Sequence, residues 1–162
     1  MRSLIASLCV LLAVACSSSL DEAAGHMPLR VTRLSSEPIS FTCASQLRQP
    51  ARLVIRDQAA WVAAWASLWP AFAPIPAPPN VDFTREMIVL VALGERPTGG
   101  YTILVDSAAV SGAGVTVWIG TSSPGRRCVT TQAFTQPVDI ARLPRTDGAV
   151  RFAETSTVVD CE

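Results

Sequence analysis

Short apolar runs alternating with polar positions recur along most of this chain, and turn-forming residues separate them. In Val115–Gly120, Val115, Val117 and Ile119 alternate with Thr116 and Trp118, the pattern of a strand with one buried face. Met87–Leu93 is apolar at every position, which predicts a mid-sheet strand covered on both faces. The same criteria place strands at Leu29–Leu34, Ile39–Cys43, Leu53–Arg56, Tyr101–Ala109, Cys128–Phe134, Val138–Leu143, Val150–Ala153 and Thr157–Cys161. No internal repeat is evident.

One segment follows a different period. In "DQAAWVAAWASLWP", Trp61, Trp65 and Trp69 recur every four residues, which puts the indoles on one stripe of a helix. Asp57 suits the N-cap and Pro70 marks the stop. A stripe of this kind could serve as an aromatic binding platform. A small β domain needs apolar area more, so the indoles are expected to fill the core beneath the helix. The following "PAFAPIPAPPN", Pro70–Asn80, should be extended and polyproline-like, a rigid connection rather than a ligand for a proline-reading module. The predicted fold is mainly β (α+β): a β-sandwich or curved antiparallel sheet with one Trp-rich helix packed on it.

Between the strands at Met87–Leu93 and Tyr101–Ala109 lies Gly94-Glu95-Arg96-Pro97-Thr98-Gly99-Gly100, far longer than the roughly two residues a tight hairpin needs. Arg96-Pro97-Thr98-Gly99 has the residues of a type I turn, with Pro at the second position and Gly at the fourth. Gly100 permits a bulge or positive φ at the strand entrance. Thr98 is expected at the apex with Arg96 beside it, both exposed, and Tyr101 below. A stiff loop loses little entropy on binding, so Arg96, Pro97, Thr98, Gly99, Gly100 and Tyr101 form the candidate partner-binding loop. Thr98 and Arg96 are its expected contacts. The plainer alternative is that the glycines only turn the chain.

The N-terminus adds an address. Met1-Arg2-Ser3 is a short basic region and Leu4–Ala15 an apolar stretch of twelve residues, too short to span a bilayer and suited to a secretory signal. Leu12-Ala13-Val14-Ala15-Cys16 resembles a bacterial lipobox, in which the Cys thiol is diacylated and becomes the mature first residue; ordinary secretion is the alternative. Residues 1–15 are thus expected to be a lipoprotein signal peptide, 16–29 a lipidated flexible tether, and 30–162 the β domain. The expected location is the bacterial cell envelope, with the chain held on the membrane through lipid at Cys16. Acyl chains in pairs anchor stably where one does not.

Of five Cys, Cys9 leaves with the leader and Cys16 takes lipid. An oxidising compartment then favours one disulfide among Cys43, Cys128 and Cys161. Cys128–Cys161 is preferred because "TVVDCE" reads as a strand that needs fastening, and a pairing through Cys43 stays open. Zinc is disfavoured, since these Cys are dispersed with no His among them.

Composition narrows the chemistry. The chain has 162 residues, 49% hydrophobic and 16% charged, with zero formal net charge. Nothing in it favours a nucleic-acid partner. All thirteen basic residues are Arg, which reflects coding composition rather than function. The single histidine, His26, falls in the expected tether, leaving the domain without a Ser-His-Asp or Cys-His design. There is no phosphate-binding or dinucleotide fingerprint, and no cofactor is implied. Asp82 and Glu86 would stand about 13 Å apart in a strand, poor spacing for shared chemistry. They read as solvated residues or turn caps. No catalytic or metal site is expected.

The run "VDFTREMIVLVALGERPTGGYTILV", with upstream "VIRDQAAWVAAWASLW" and downstream "TQAFTQPVDIARLP", resembles the PrcB C-terminal domain family over roughly Leu53–Phe152. The family takes its name from a bacterial lipoprotein that associates with, and stabilises, a subtilisin-like protease complex at the cell surface. The resemblance implies a small exported domain with a protein partner and no active site. "RPTGGY" is also similar to the "NPTTGY"-type loop of chagasin-like cysteine protease inhibitors, with Arg96 in place of Asn and Gly99 in place of the second Thr. That likeness implies only that such a loop can insert into a partner. The expected function is a membrane-anchored protein-binding module that stabilises or inhibits a secreted protease through residues 94–101. The alternative is a structural envelope module without a protease partner, and an enzyme using carboxylates alone is a more distant third.

Overall fold

The computed structural model describes residues 26–34, 39–42, 46–70, 74–112 and 114–161. Cys16, the segment expected to be a signal peptide, and Cys43 lie outside the described residues. Among the described residues, nine strands and one helix follow in chain order: β1 (His26–Leu29), β2 (Thr32–Arg33), β3 (Ile39–Thr42), β4 (Ala51–Ile55), α1 (Gln58–Ala66), β5 (Glu86–Ala92), β6 (Thr102–Ser111), β7 (Gly114–Pro124), β8 (Thr135–Pro144) and β9 (Val150–Val159). One sheet has the order β1-β6-β7-β9; the other has β2-β8-β5-β4, with β3 also paired to β8.

The architecture is a sandwich of these two sheets with α1 on the outer face of the second, as the periodicity predicts. β5 shows why its sequence is apolar throughout. Met87, Val89, Val91 and Leu93 face Ile103, Val105, Val117 and Ile119 of the first sheet. Ile88, Leu90 and Ala92 face the helix side with Trp61, Ala64 and Leu68. A strand whose two faces enter two cores has no position left for a polar residue.

The helix begins where expected: the Asp57 carboxylate accepts the Ala60 N–H at 2.8 Å. Trp61 is fully buried, and Trp65 and Trp69 are half-buried against the same core. Neighbouring indoles along the stripe meet at centroid distances of 5.4 and 5.9 Å. The proline segment lies along this stripe. Trp61 Nε1 donates to the Pro79 carbonyl at 3.0 Å and Trp65 Nε1 to that of Pro76 at 2.8 Å. The domain thus holds its own proline run as proline-reading modules hold a ligand.

Several expectations give way. The strand placed at Cys128–Phe134 is a loop: Gly125 turns the chain, its carbonyl accepting Cys128 N–H at 3.1 Å. Val129 there is fully exposed, so the β-branched residues have no face to bury. The two strands placed at Val150–Ala153 and Thr157–Cys161 are one, β9, because β7 offers a continuous ladder beneath the polar residues between them. That β7–β9 pair is parallel, so the first sheet is mixed rather than antiparallel. Leu29–Leu34 divides between β1 and β2, which enter different sheets. His26, expected in the tether, belongs to β1 and pairs with Ser111, its ring 6.1 Å from that of Trp118. Pro28 is accommodated because β1 is an edge strand.

A register shift between Val105 and Ser107 of β6 is matched by buried Asp139 of β8. Its carboxylate accepts the Val105 N–H at 2.7 Å and the Arg33 Nε–H at 3.3 Å, while Arg33 Nη2 donates to the Val105 carbonyl at 3.0 Å. The backbone groups displaced by the bulge are satisfied from the other sheet, which explains an acid in the core.

Candidate docking end

The loop at 94–101 leaves β5 through Gly94, whose φ is +75°. A Cβ there would come within 2.8 Å of Pro50 N and 2.9 Å of the Arg48 carbonyl oxygen. Glycine is therefore required both for the backbone angle and for the close approach of the chain at 48–50. Glu95 N–H donates to the Arg48 carbonyl at 3.0 Å, and Gln136 Nε2 to the Glu95 carboxylate at 3.2 Å.

The loop tip is not free. Arg96 and Thr135 exchange both backbone hydrogen bonds, at 2.8 and 2.9 Å. Thr135 Oγ1 donates to the Thr98 carbonyl at 2.8 Å, and Gly99 N–H to the Thr131 carbonyl at 3.2 Å. The fourth residue of the expected type I turn thus gives its N–H to a neighbouring loop rather than back to Arg96. Gly100 has the expected positive φ, +86°, and rests against Pro124 at the end of β7.

Exposure at the tip departs from expectation. Arg96 and Thr98, expected outside, are half-buried, as are Gly99 and Tyr101; Pro97 and Gly100 are exposed. Arg96 turns inward because Nη2 donates to the Leu93 carbonyl at 2.9 Å and its guanidinium carbon lies 5.7 Å from the Tyr101 ring centroid. A cation over an aromatic face gains in partly desolvated sites.

The loop at 125–134, which the sequence pattern presented as a strand, is the other half of this end. Cys128 and Cys161 are disulfide-bonded with Cα atoms 4.9 Å apart, and Gly125 N–H donates to the Val159 carbonyl at 2.8 Å. The bridge ties this loop to the end of β9. These joined segments expose Val129, Phe134, Val158 and Val159. The signal in the sequence was Gly125-Arg126-Arg127, a turn followed by charge; the β-branched run after it concealed the loop.

Elsewhere, Asp82 and Glu86 are not in one strand. Asp82 caps a turn, its carboxylate accepting the Thr84 hydroxyl at 2.6 Å and N–H at 3.0 Å. These two bonds hold its pKa below the usual carboxylate range. Glu86 pairs with Arg142 at 3.5 Å. Both acids line a cavity of about 540 Å³ with Arg30, Arg85 and Arg142. Among the described residues no group of three or more His, Cys, Asp or Glu is placed to hold a metal ion. What this end of the sandwich offers is shape: two loops locked by hydrogen bonds and a disulfide, carrying apolar side chains outward.

Residues 87–144 match the family model described as PrcB C-terminal. No curated protein and no solved structure matches the chain, so the likeness to chagasin-like inhibitors rests on the loop sequence alone. The matched residues run from β5 to the last residue of β8 and contain both loops, 94–101 and 125–134. Over that span the chain is similar to the PrcB C-terminal family.

Proposed function

We propose that this protein is a non-catalytic, envelope-anchored accessory subunit that binds a secreted protease of the subtilisin type, or its precursor, through the paired loops. The observation that carries this is the rigidity of a surface with exposed apolar side chains. Loop 94–101 is bonded to Thr131 and Thr135, and loop 125–134 is fastened to β9 by the Cys128–Cys161 bridge. A preorganised loop pair has little entropy to lose on docking. Exposed aliphatic and aromatic groups suit the desolvated centre of an interface. Pro97, Val129 and Phe134 are the proposed contacts, and Gly94, Gly99, Gly100 and Tyr101 set the geometry. Lipid on Cys16 would hold this end near partners at the membrane. Intact-mass analysis of the extracted chain should find acyl mass on a protein beginning at Cys16, and an unmodified soluble chain would remove the anchor.

The docking test uses affinity capture of the full chain from native envelopes, with captured serine proteases labelled by a fluorophosphonate probe. Wild type should retain a labelled protease. Val129→Asp with Pro97→Asp should retain at least tenfold less, about 1.4 kcal/mol of binding, while stability moves by only about 0.5 kcal/mol. Equal retention by the variant would refute docking through these loops. A wild type that retains no labelled protease would favour a structural envelope module.

A further inference from the structure

The inner side of loop 94–101 carries a charge that no acid of the described residues meets. The ion pairs there join Arg33 to Asp139, Arg48 to Glu95, Arg52 to Glu154, Arg142 to Glu86 and Arg145 to Asp147. Arg96 is in none of them. Its side chain makes a single hydrogen bond to the described residues, from Nη2 to the Leu93 carbonyl. Its Nε–H is buried without an acceptor. Buried donors in native structures nearly always have partners, and a guanidinium offers five in a fixed fork.

Arg96 borders a cleft of about 180 Å³ between the loop and the ends of β7 and β9. Tyr101, Thr121, Ser123, Ser156 and Thr157 also line it. The hydroxyls are mostly engaged with one another or with the backbone: Thr121 Oγ1 and Ser156 Oγ lie 2.7 Å apart, and Thr157 Oγ1 donates to the Thr121 carbonyl at 3.3 Å. Ser123 Oγ has no hydrogen bond to the described residues. The cleft therefore presents one held cation, one free hydroxyl and an aromatic wall, with no acid in its lining.

We infer that this cleft binds a carboxylate presented by a polypeptide, with the Arg96 fork as the charged donor and the Ser123 hydroxyl as the neutral one. The planar fork matches a carboxylate's two oxygens. One arginine with one free hydroxyl balances one negative charge, whereas a phosphate draws several cations or a cradle of backbone N–H groups. The Tyr101 ring gives the methylenes of an acidic residue an apolar wall. The polypeptide source rests on the docking surface proposed above; the carboxylate site itself does not.

The test is a titration of the isotope-labelled full chain in detergent, followed by NMR at the Arg96 Nε–H and the Ser123 amide at constant ionic strength. N-acetyl-aspartate amide supplies a side-chain carboxylate, N-acetylglycine a chain-end carboxylate, and N-acetyl-asparagine amide the neutral control. At least one carboxylate should give saturable shifts confined to the cleft and the control none; the tighter one identifies which end of a partner is read. Binding should weaken at least tenfold in Arg96→Gln and several-fold in Ser123→Ala. The Ser123 variant decides the matter if Arg96→Gln disturbs the loop. Linear shifts equal to those of chloride would overturn the site, as would saturable binding unchanged in Ser123→Ala and in a folded Arg96→Gln. Saturable binding by a chain that captures no protease would leave the site standing and remove only its assigned partner.

Discussion

Trp61 offers a sharp test of how the helix, the proline segment and the second sheet depend on one another. It is fully buried, packs on Ile88, Leu90 and Ile140 within one core, and donates its indole N–H to the Pro79 carbonyl at 3.0 Å. Replacing it with Ala removes a large aromatic side chain from a site that β5 and β8 prevent from collapsing, and a loss of about 3–5 kcal/mol is expected. Trp61→Phe keeps most of the ring but deprives the Pro79 carbonyl of its donor, at a cost of about 1–3 kcal/mol. Trp65 is half-buried and makes the equivalent bond to Pro76. Trp65→Ala should therefore cost less than Trp61→Ala, on the order of 2 kcal/mol, since less area leaves water in the native fold. Urea titrations followed by far-UV circular dichroism give each difference, provided the slopes agree. Equal losses for Trp61→Ala and Trp65→Ala, or a loss below about 1 kcal/mol for the former, would refute this account of the core.

Three further outcomes are expected. Reduction of Cys128–Cys161, separated by 33 residues, should lower stability by at most about 3.7 kcal/mol on loop entropy. Hydrogen exchange should quicken first at residues 125–134 and the end of β9, and unchanged exchange there would show that the bridge fastens nothing. Gly94→Ala should cost about 2–4 kcal/mol by chemical denaturation, because it combines positive φ with a backbone clash at Arg48 and Pro50; a neutral result would mean the loop base is looser than described. The Glu154 carboxyl is held below its ordinary value of 4.5, chiefly by the Arg52 hydrogen bond. A depressed folded pKa gives stability that is present above 4.5 and lost as pH falls through the folded value. The difference between wild type and Glu154→Gln should therefore fade on acidification through that window. It should stay under about 1 kcal/mol at neutral pH because the pair is part-exposed, and a difference that grows with acid would contradict the sign.

What local sequence determined here is what short-range physics controls. The four-residue spacing of tryptophans between Asp57 and Pro70 located α1, since period and caps are properties of neighbouring residues. The continuous apolar run at 87–93 located a doubly covered strand for the same reason, and the fastening of "TVVDCE" was legible from its cysteine and the strand-like run before it. Tertiary structure decided everything that depended on which segments meet. Residues 128–134 are rich enough in β-branched side chains to be a strand, but no sheet of the described residues offers them a ladder and they form a loop beside residues 94–101. The polar middle of β9 looks like a turn until β7 lies beside it. Arg96 looks like a surface charge until Tyr101 and the Leu93 carbonyl draw it inward. Asp139 looks misplaced in an apolar strand until the bulge in β6 presents a backbone N–H. For β9 and Asp139 the deciding partner lies tens of residues away along the chain, and no local pattern encodes a contact whose other half it does not contain; for Arg96 the partners are near in sequence, but only the folded loop brings them together.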